Sequence, residues 1–261
     1  MCLIFAAWRR HPDYRLVVAA NRDEFYTRPT AAAGFWDDAP NVAAGRDLEA
    51  GGTWLGVTRE GRFAALTNHR GPSARAAGAP SRGHLVADFL RGRQAPRAYV
   101  DALAARAGDY QGFNLLVGDE RALHWLSNRD AAPRALEPGV YGISNALLDT
   151  PWPKVTRGKA AFARLLARRP LDVEALFDLL ADRAPAADTD LPDTGIGLPR
   201  ERALSPMFIT TEDYGTRSST VVLIDHDGGI TLQERTHPTP GLEGTNTITL
   251  TFPVEPDRAA V

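Results

Sequence analysis

Short uninterrupted apolar runs dominate the first part of the chain. Residues 3–7 and 15–20 are two such runs, separated by His11-Pro12-Asp13. Runs this short read as strands buried on both faces, and the His-Pro-Asp segment supplies the turn. The charged stretch Asn21-Arg22-Asp23-Glu24 ends the second strand, so residues 1–25 are expected to form a hairpin. Residues 29–52 carry Pro, Gly, Asp and Asn and read as a long loop. Residues 51–72 read as strand, Glu60-Gly61 turn, strand and stop. Helical spacing follows over 81–91 and 96–107, a hairpin over 113–127 turning at Gly118-Asp119, and a strand over 139–145. Residues 154–169 put Phe162, Leu165 and Leu166 on one helix face, and Asp172 is placed to cap a second helix. A Pro, Asp and Gly-rich loop is expected over 184–199. Strands are expected over 207–211, 217–225 and 230–235, with a turn at 226–229, and a last one over 245–252, where Thr alternates with Ile and Leu. Strands and helix pairs are segregated rather than alternating singly, which predicts an α+β layered fold instead of a βαβ array.

Composition adds exclusions. The 261 residues carry 30 basic and 32 acidic side chains, for a formal net charge of −2. That balance gives no electrostatic footprint for nucleic acid or an anionic membrane. All but Lys154 and Lys159 of the basic residues are arginine, a bias from which no function is drawn. One cysteine allows no internal disulfide, no apolar run is long enough to span a membrane, and the N-terminal run lacks the layout of a secretion signal. The expectation is a cytoplasmic protein without a membrane span. The six histidines show no ligand spacing, so no metal is expected, and the Gly51-Gly52 and Gly195-Ile196-Gly197 stretches lack a dinucleotide or phosphate-loop context.

The single thiol, Cys2, stands directly behind Met1. A free cysteine is ordinarily a small buried hydrophobe. Removal of Met1 would instead expose an α-amine that titrates near ~8, against ~10.4 for a lysine. Such an amine can take the thiol's proton, which is the logic of an N-terminal nucleophile. Antiparallel pairing would bring Arg22, which favours a thiolate, and Asp23, which can orient the amine, beside Cys2. Read locally, Asn68 and Asn145 are turn residues first.

Six motifs in order carry a family resemblance: Met1-Cys2-Leu3-Ile4, Asn21-Arg22-Asp23-Glu24-Phe25, Gly51-Gly52-Thr53-Trp54-Leu55-Gly56, Thr67-Asn68-His69-Arg70, Gly142-Ile143-Ser144-Asn145 and Arg217-Ser218-Ser219-Thr220-Val221. They resemble the NRDE-domain family, called the transport and Golgi organisation family in eukaryotes. That family is more distantly similar to N-terminal-nucleophile hydrolases of the choloylglycine hydrolase and penicillin acylase type. The resemblance implies one αββα sandwich over residues 1–252, with 253–261 as a tail. It implies Cys2 as nucleophile, with Arg22, Asp23, Asn68, Asn145 and Arg217 as catalytic partners. Here the order is Asn-Arg-Asp-Glu, whereas those hydrolases have Arg-Asn-x-Asp. Asn21, Glu24, Trp54, His69 and Ser218 are expected to contact substrate.

Two functions follow as expectations. The first is a cysteine amidohydrolase acting on a non-peptide C–N bond or a thioester, without a required cofactor. The second is a non-catalytic carrier on the same fold, linked to lipid metabolism or haem trafficking, that binds haem, acyl-CoA or another lipid. In it Cys2 is an axial ligand or pocket residue, and Arg22 and Arg217 hold carboxylates or phosphates. In either case the partner is a small molecule, and fold alone does not choose between them.

Overall fold

The structure is a computed structural model that describes residues 2–71, 78–130, 132–239 and 243–255. Its strands are β1 (Cys2–Trp8), β2 (Tyr14–Phe25), β3 (Thr30–Trp36), β4 (Ala39–Asp47), β5 (Leu55–Thr58), β6 (Phe63–Asn68), β7 (Phe113–Gly118), β8 (Leu123–Ser127), β9 (Arg134–Ala135), β10 (Gly139–Ile143), β11 (Tyr214–Asp225), β12 (Gly229–Thr236) and β13 (Asn246–Pro253). Its helices are α1 (Gly83–Arg91), α2 (Pro96–Ala104), α3 (Pro153–Leu166), α4 (Val173–Leu180) and α5 (Leu198–Ala203).

Two antiparallel sheets stack face to face. One runs β10-β1-β2-β11-β12-β13, the other β3-β4-β5-β6-β7-β8-β9. Side chains alternate along each strand and both faces are covered, so the apolar runs are continuous rather than alternating. In β1, Ile4, Ala6 and Trp8 meet Phe63, Ala65 and Trp125 of the opposite sheet. Leu3, Phe5 and Ala7 face Phe162 of α3 and Leu176 of α4. Leu66, Leu115 and Val117 pack against Leu85 and Phe89 of α1 and Val100 of α2. The layers are helix, sheet, sheet, helix: the αββα sandwich expected from the resemblance.

Most predicted elements are present. The Asp172 carboxylate accepts from Ala175 N–H at 3.2 Å and caps α4. Gly61, between β5 and β6, has φ +76°, a conformation that L side chains avoid. Two expectations are corrected. The long loop over 29–52 is largely the β3–β4 hairpin; its Ala and Gly-rich strand hides the signal, and Asp37 and Asp38 mark its turn. Residues 207–211 form no strand, because this segment only bridges Thr210 to Gly215 at the start of β11. The loop over 184–199 ends in the unpredicted α5.

Gly158 carries a prediction. A Cβ there would collide with the Phe5 ring and reach the Met207 sulfur, because α3 rests on β1 at this point. Gly158→Ala is therefore expected to destabilise by about 1–3 kcal/mol, reversing the gain a Gly-to-Ala change normally gives inside a helix. Urea unfolding measures it; an increase in stability would show that α3 moves away freely.

Candidate active site

The hairpin register does what the sequence suggests. Cys2 pairs with Arg22, and Leu3 with Asn21. On the other side of β2, Thr216 pairs with Asp23 and Ser218 with Arg22, and the register shift between them leaves Arg217 as an extra residue in β11. Alternation along β2 then sorts the motif. Arg22 shares the inter-sheet face with Cys2, whereas Asn21 turns to the helix face. There Asn21 Nδ2 donates to the Leu180 and Met207 carbonyls at 2.8 and 2.9 Å, and its Oδ1 accepts from Ser219 Oγ at 2.6 Å.

A cavity of about 600 Å³ opens at this strand end. Cys2, Arg22, Asp23, Glu24, Trp54 and Asn68 line it, so six of the eleven expected site residues meet there. Its other walls come from the start of α1, from α5 and from Tyr214 of β11. The Arg22 guanidinium lies 4.2 Å from the Trp54 ring centroid and donates to Thr30 Oγ1 at 3.0 Å. The Gly51-Gly52 motif has a packing reason: a Cβ on Gly52 would lie 2.5 Å from the Gly83 carbonyl carbon, so the two loops that form this wall meet backbone to backbone.

The remaining five residues lie elsewhere. Asn145 is fully buried, and its Nδ2 donates to the Asn68 carbonyl at 2.8 Å. It holds the Asn68 turn rather than lining the cavity. Arg217 donates to the Phe25 and Arg28 carbonyls at 2.7 and 3.0 Å, clamping the turn after β2. His69 turns its Nδ1 toward the Arg70 carbonyl, Ser218 lies buried beside Glu234, and Asn21 is engaged as described.

Beneath the cavity is a cluster that sequence reading missed. Asp23 is buried; its Oδ1 accepts from Thr216 Oγ1 at 2.7 Å, and its carbonyl accepts from Tyr214 Oη at 2.8 Å. Burial pushes its carboxyl up, opposed by the Lys154 charge. Lys154 of α3 is buried as well, with Nζ donating to the Leu204 carbonyl at 2.9 Å. Burial brings its ammonium down to about 8, and Asp23 opposes that shift. Next to them, Arg70 and Glu201 form a buried ion pair at 2.5 Å. Burial raises the Cys2 thiol, and Asp23 adds to this; Arg22 and a hydrogen bond from the Asp23 backbone act the other way. The one signal that would have singled out Lys154 was its rarity among so many arginines.

Such a site holds a thiol, the Arg22 cation in register with it, the buried Asp23 carboxylate and Asn68 in the same cavity lining. It suits attack on a carbonyl more than metal chemistry. Among the described residues no group of His, Cys, Asp and Glu side chains is placed to hold a metal ion. Among them, too, no helix is long and apolar enough to cross a membrane.

Comparison with known proteins shows the family and the fold. The profile of the Transport and Golgi organisation 2 family matches residues 1–238. The bovine (Bos taurus) Transport and Golgi organization protein 2 homolog is 40% identical over 256 residues, spanning 90% of this chain and 92% of the relative. The human homolog is 36% identical over 276 residues, spanning 98% and 100%. Solved structures similar to it in fold include N-terminal-nucleophile hydrolases. A conjugated bile acid hydrolase from Clostridium perfringens, solved as its C2A mutant, superposes with TM-score 0.54 at 8% identity, covering 97% of this chain and 96% of that one. Penicillin V acylase from Agrobacterium tumefaciens gives 0.52 at 11% identity, covering 95% and 86%. The Caenorhabditis elegans ortholog of N-acylethanolamine-hydrolyzing acid amidase gives 0.50 at 13%, covering 85% and 92%.

Proposed function

Since the chain belongs to the Transport and Golgi organisation 2 family and has the fold of N-terminal-nucleophile hydrolases, we propose that it is a cysteine hydrolase of non-peptide amides or thioesters, with Cys2 as nucleophile. The observation that carries this reading is that the chain's one thiol opens, in register with Arg22, onto a cavity that also holds the Asn68 amide. In this reading Met1, which lies outside the described residues, is removed. The freed α-amine of Cys2 takes the thiol's proton, and Arg22 stabilises the thiolate. The sulfur adds to the substrate carbonyl, and the Asn68 amide donates to the oxyanion. A side-chain donor of this kind contributes roughly 3 kcal/mol where its removal has been measured. The leaving amine or thiol departs with the proton, and water then releases the acyl group from Cys2. Asn145 and Arg217 act by holding the turns that carry these groups. The three structural neighbours given above are by name an amidase, an acylase and a hydrolase, and the bile acid hydrolase was solved with alanine at its own position 2.

The test starts from protein with its native N-terminus. Intact mass shows whether Met1 is gone, and a panel of acyl amides and thioesters is then screened for an acyl adduct on Cys2. The expected result is loss of methionine, an adduct, and turnover that Cys2→Ala abolishes. Retained Met1 with no adduct across the panel would overturn the proposal.

The carrier reading has one specific observation behind it. Arg22 is buried on Trp54 at the cavity floor, a built cationic surface suited to a carboxylate or phosphate of an acyl-CoA, a lipid or a haem. A carrier keeps most of its ligand affinity after Cys2→Ala, with at most a changed haem spectrum where Cys2 is the axial ligand, whereas the hydrolase loses all acyl transfer.

A further inference from the structure

The mechanism above leaves the buried ammonium of Lys154 unused. A fully buried ammonium is costly unless other groups compensate it, so its presence 131 or more residues along the chain from Cys2 and Asp23 needs a reason. It stands on α3, the helix laid against the face of β1 and β2 that carries Asp23. Its Nζ is fixed by the Leu204 carbonyl, and Leu204 lines the cavity wall. From there its charge acts on both Asp23 and Cys2. The groups facing this cluster are Asp23 and Glu24 from the end of β2, Arg22 from the inter-sheet face, Arg70 after β6, Glu201 from α5 and Tyr214 from β11.

We propose that Lys154 is the positioning cation of the nucleophile: fixed against the Leu204 carbonyl, it holds Asp23 ionised beneath Cys2 and stabilises the Cys2 thiolate. This deepens the reading of Cys2 as the nucleophile and rests on it. The two charges of the pair act on the thiol with opposite sign, since Asp23 disfavours the thiolate and Lys154 favours it. Removing the lysine alone takes away one of the charges that offset Asp23, and the loss falls on the thiolate.

Cys2 is the only thiol in the chain, so its alkylation by iodoacetamide reports on this site alone and requires no turnover. Alkylation rate is followed against pH for the full chain and for Lys154→Met and Lys154→Arg. Lys154→Met is expected to alkylate roughly tenfold more slowly at pH 8, the effect of a one-unit rise in the thiol's pKa. Lys154→Arg is expected to match the parent below pH 8 and to react faster above it, because arginine stays charged where lysine discharges. Superimposable profiles for parent and Lys154→Met overturn the proposal. If the methionine variant fails to fold, a Lys154→Arg profile identical to the parent's above pH 8 overturns it equally. A chain that shows this pattern yet never forms an acyl adduct sinks the hydrolase reading and leaves the role of Lys154 standing.

Discussion

Arg70→Met is expected to cost about 3–5 kcal/mol of folding stability, the range seen when one partner of a buried ion pair is removed. Arg70 and Glu201 bury their side chains to 4% and 3% exposure, and the Nη1 to Oε2 distance is 2.5 Å. The pair ties the turn after β6 to α5. Thr194 also donates to Glu201, through its hydroxyl and its backbone N–H, and the Arg70 guanidinium lies 4.6 Å from the Trp152 ring centroid. Removing the arginine strands a carboxylate in a dry wall; removing both charges does not. Arg70→Met with Glu201→Gln is therefore expected to recover most of the loss. A double-mutant cycle in urea measures the coupling. Equal losses in the single and the double variant would show that the pair contributes packing alone.

This ion pair also marks the limit of what the chain reveals by itself. Its partners are 131 positions apart, and no local pattern connects them. Lys154 is a similar case: its neighbours arrive only when α3 is laid on the first sheet, and the shortage of lysine has a ready compositional explanation. What was legible came from short-range rules. The runs at 3–7 and 15–20 identify strands buried on both faces, and a short hairpin between them places the Asn-Arg-Asp-Glu stretch beside Cys2. The same hairpin, taken one step further to its pleat, separates Arg22 from Asn21. With Cys2 opposite Arg22, the neighbouring Asn21 must turn to the other face, and there it bonds the Leu180 and Met207 carbonyls. Asn145 and Arg217 do not line the cavity, and no local pattern shows this: they fix the turns around it, Asn145 at the Asn68 carbonyl and Arg217 at the Phe25 and Arg28 carbonyls. The β3–β4 hairpin stayed hidden because alanine and glycine carry little strand signal, and its inward contacts are made across the two sheets, as when Glu234 of β12 accepts from Ala33 N–H at 2.7 Å.

Lowering the pH from 7 toward 4.5 is expected to expose the cost of a half-buried group, His237. Its Nε2 lies 2.9 Å from Ser219 Oγ, and that hydroxyl spends its proton on Asn21 Oδ1 at 2.6 Å. Nε2 must therefore donate, which fixes the neutral tautomer. The Phe208 ring packs edge-on at 4.7 Å between centroids. Burial, with the charges of Arg235 and Arg183 acting in the same direction, lowers the imidazole from its ordinary 6.5 to about 4. The folded-state value is depressed, so the unfolded chain binds this proton first as the pH falls. The stability is fully present above 6.5, declines on descent through the window, and levels off below about 4. The whole window is worth about 3 kcal/mol at 1.36 kcal/mol per unit, and partial exposure brings the expectation down to about 2–3 kcal/mol. His237→Gln keeps a donor for Ser219 and cannot titrate. The parent is expected to lose about 2–3 kcal/mol more than this variant between pH 7 and 4.5 in matched urea unfolding experiments, because every other titrating group is common to both. Parallel losses would mean that His237 protonates without leaving its bond to Ser219. The Ser219–Asn21 link, which ties β11 to the strand that carries Arg22 and Asp23, would then be indifferent to acid.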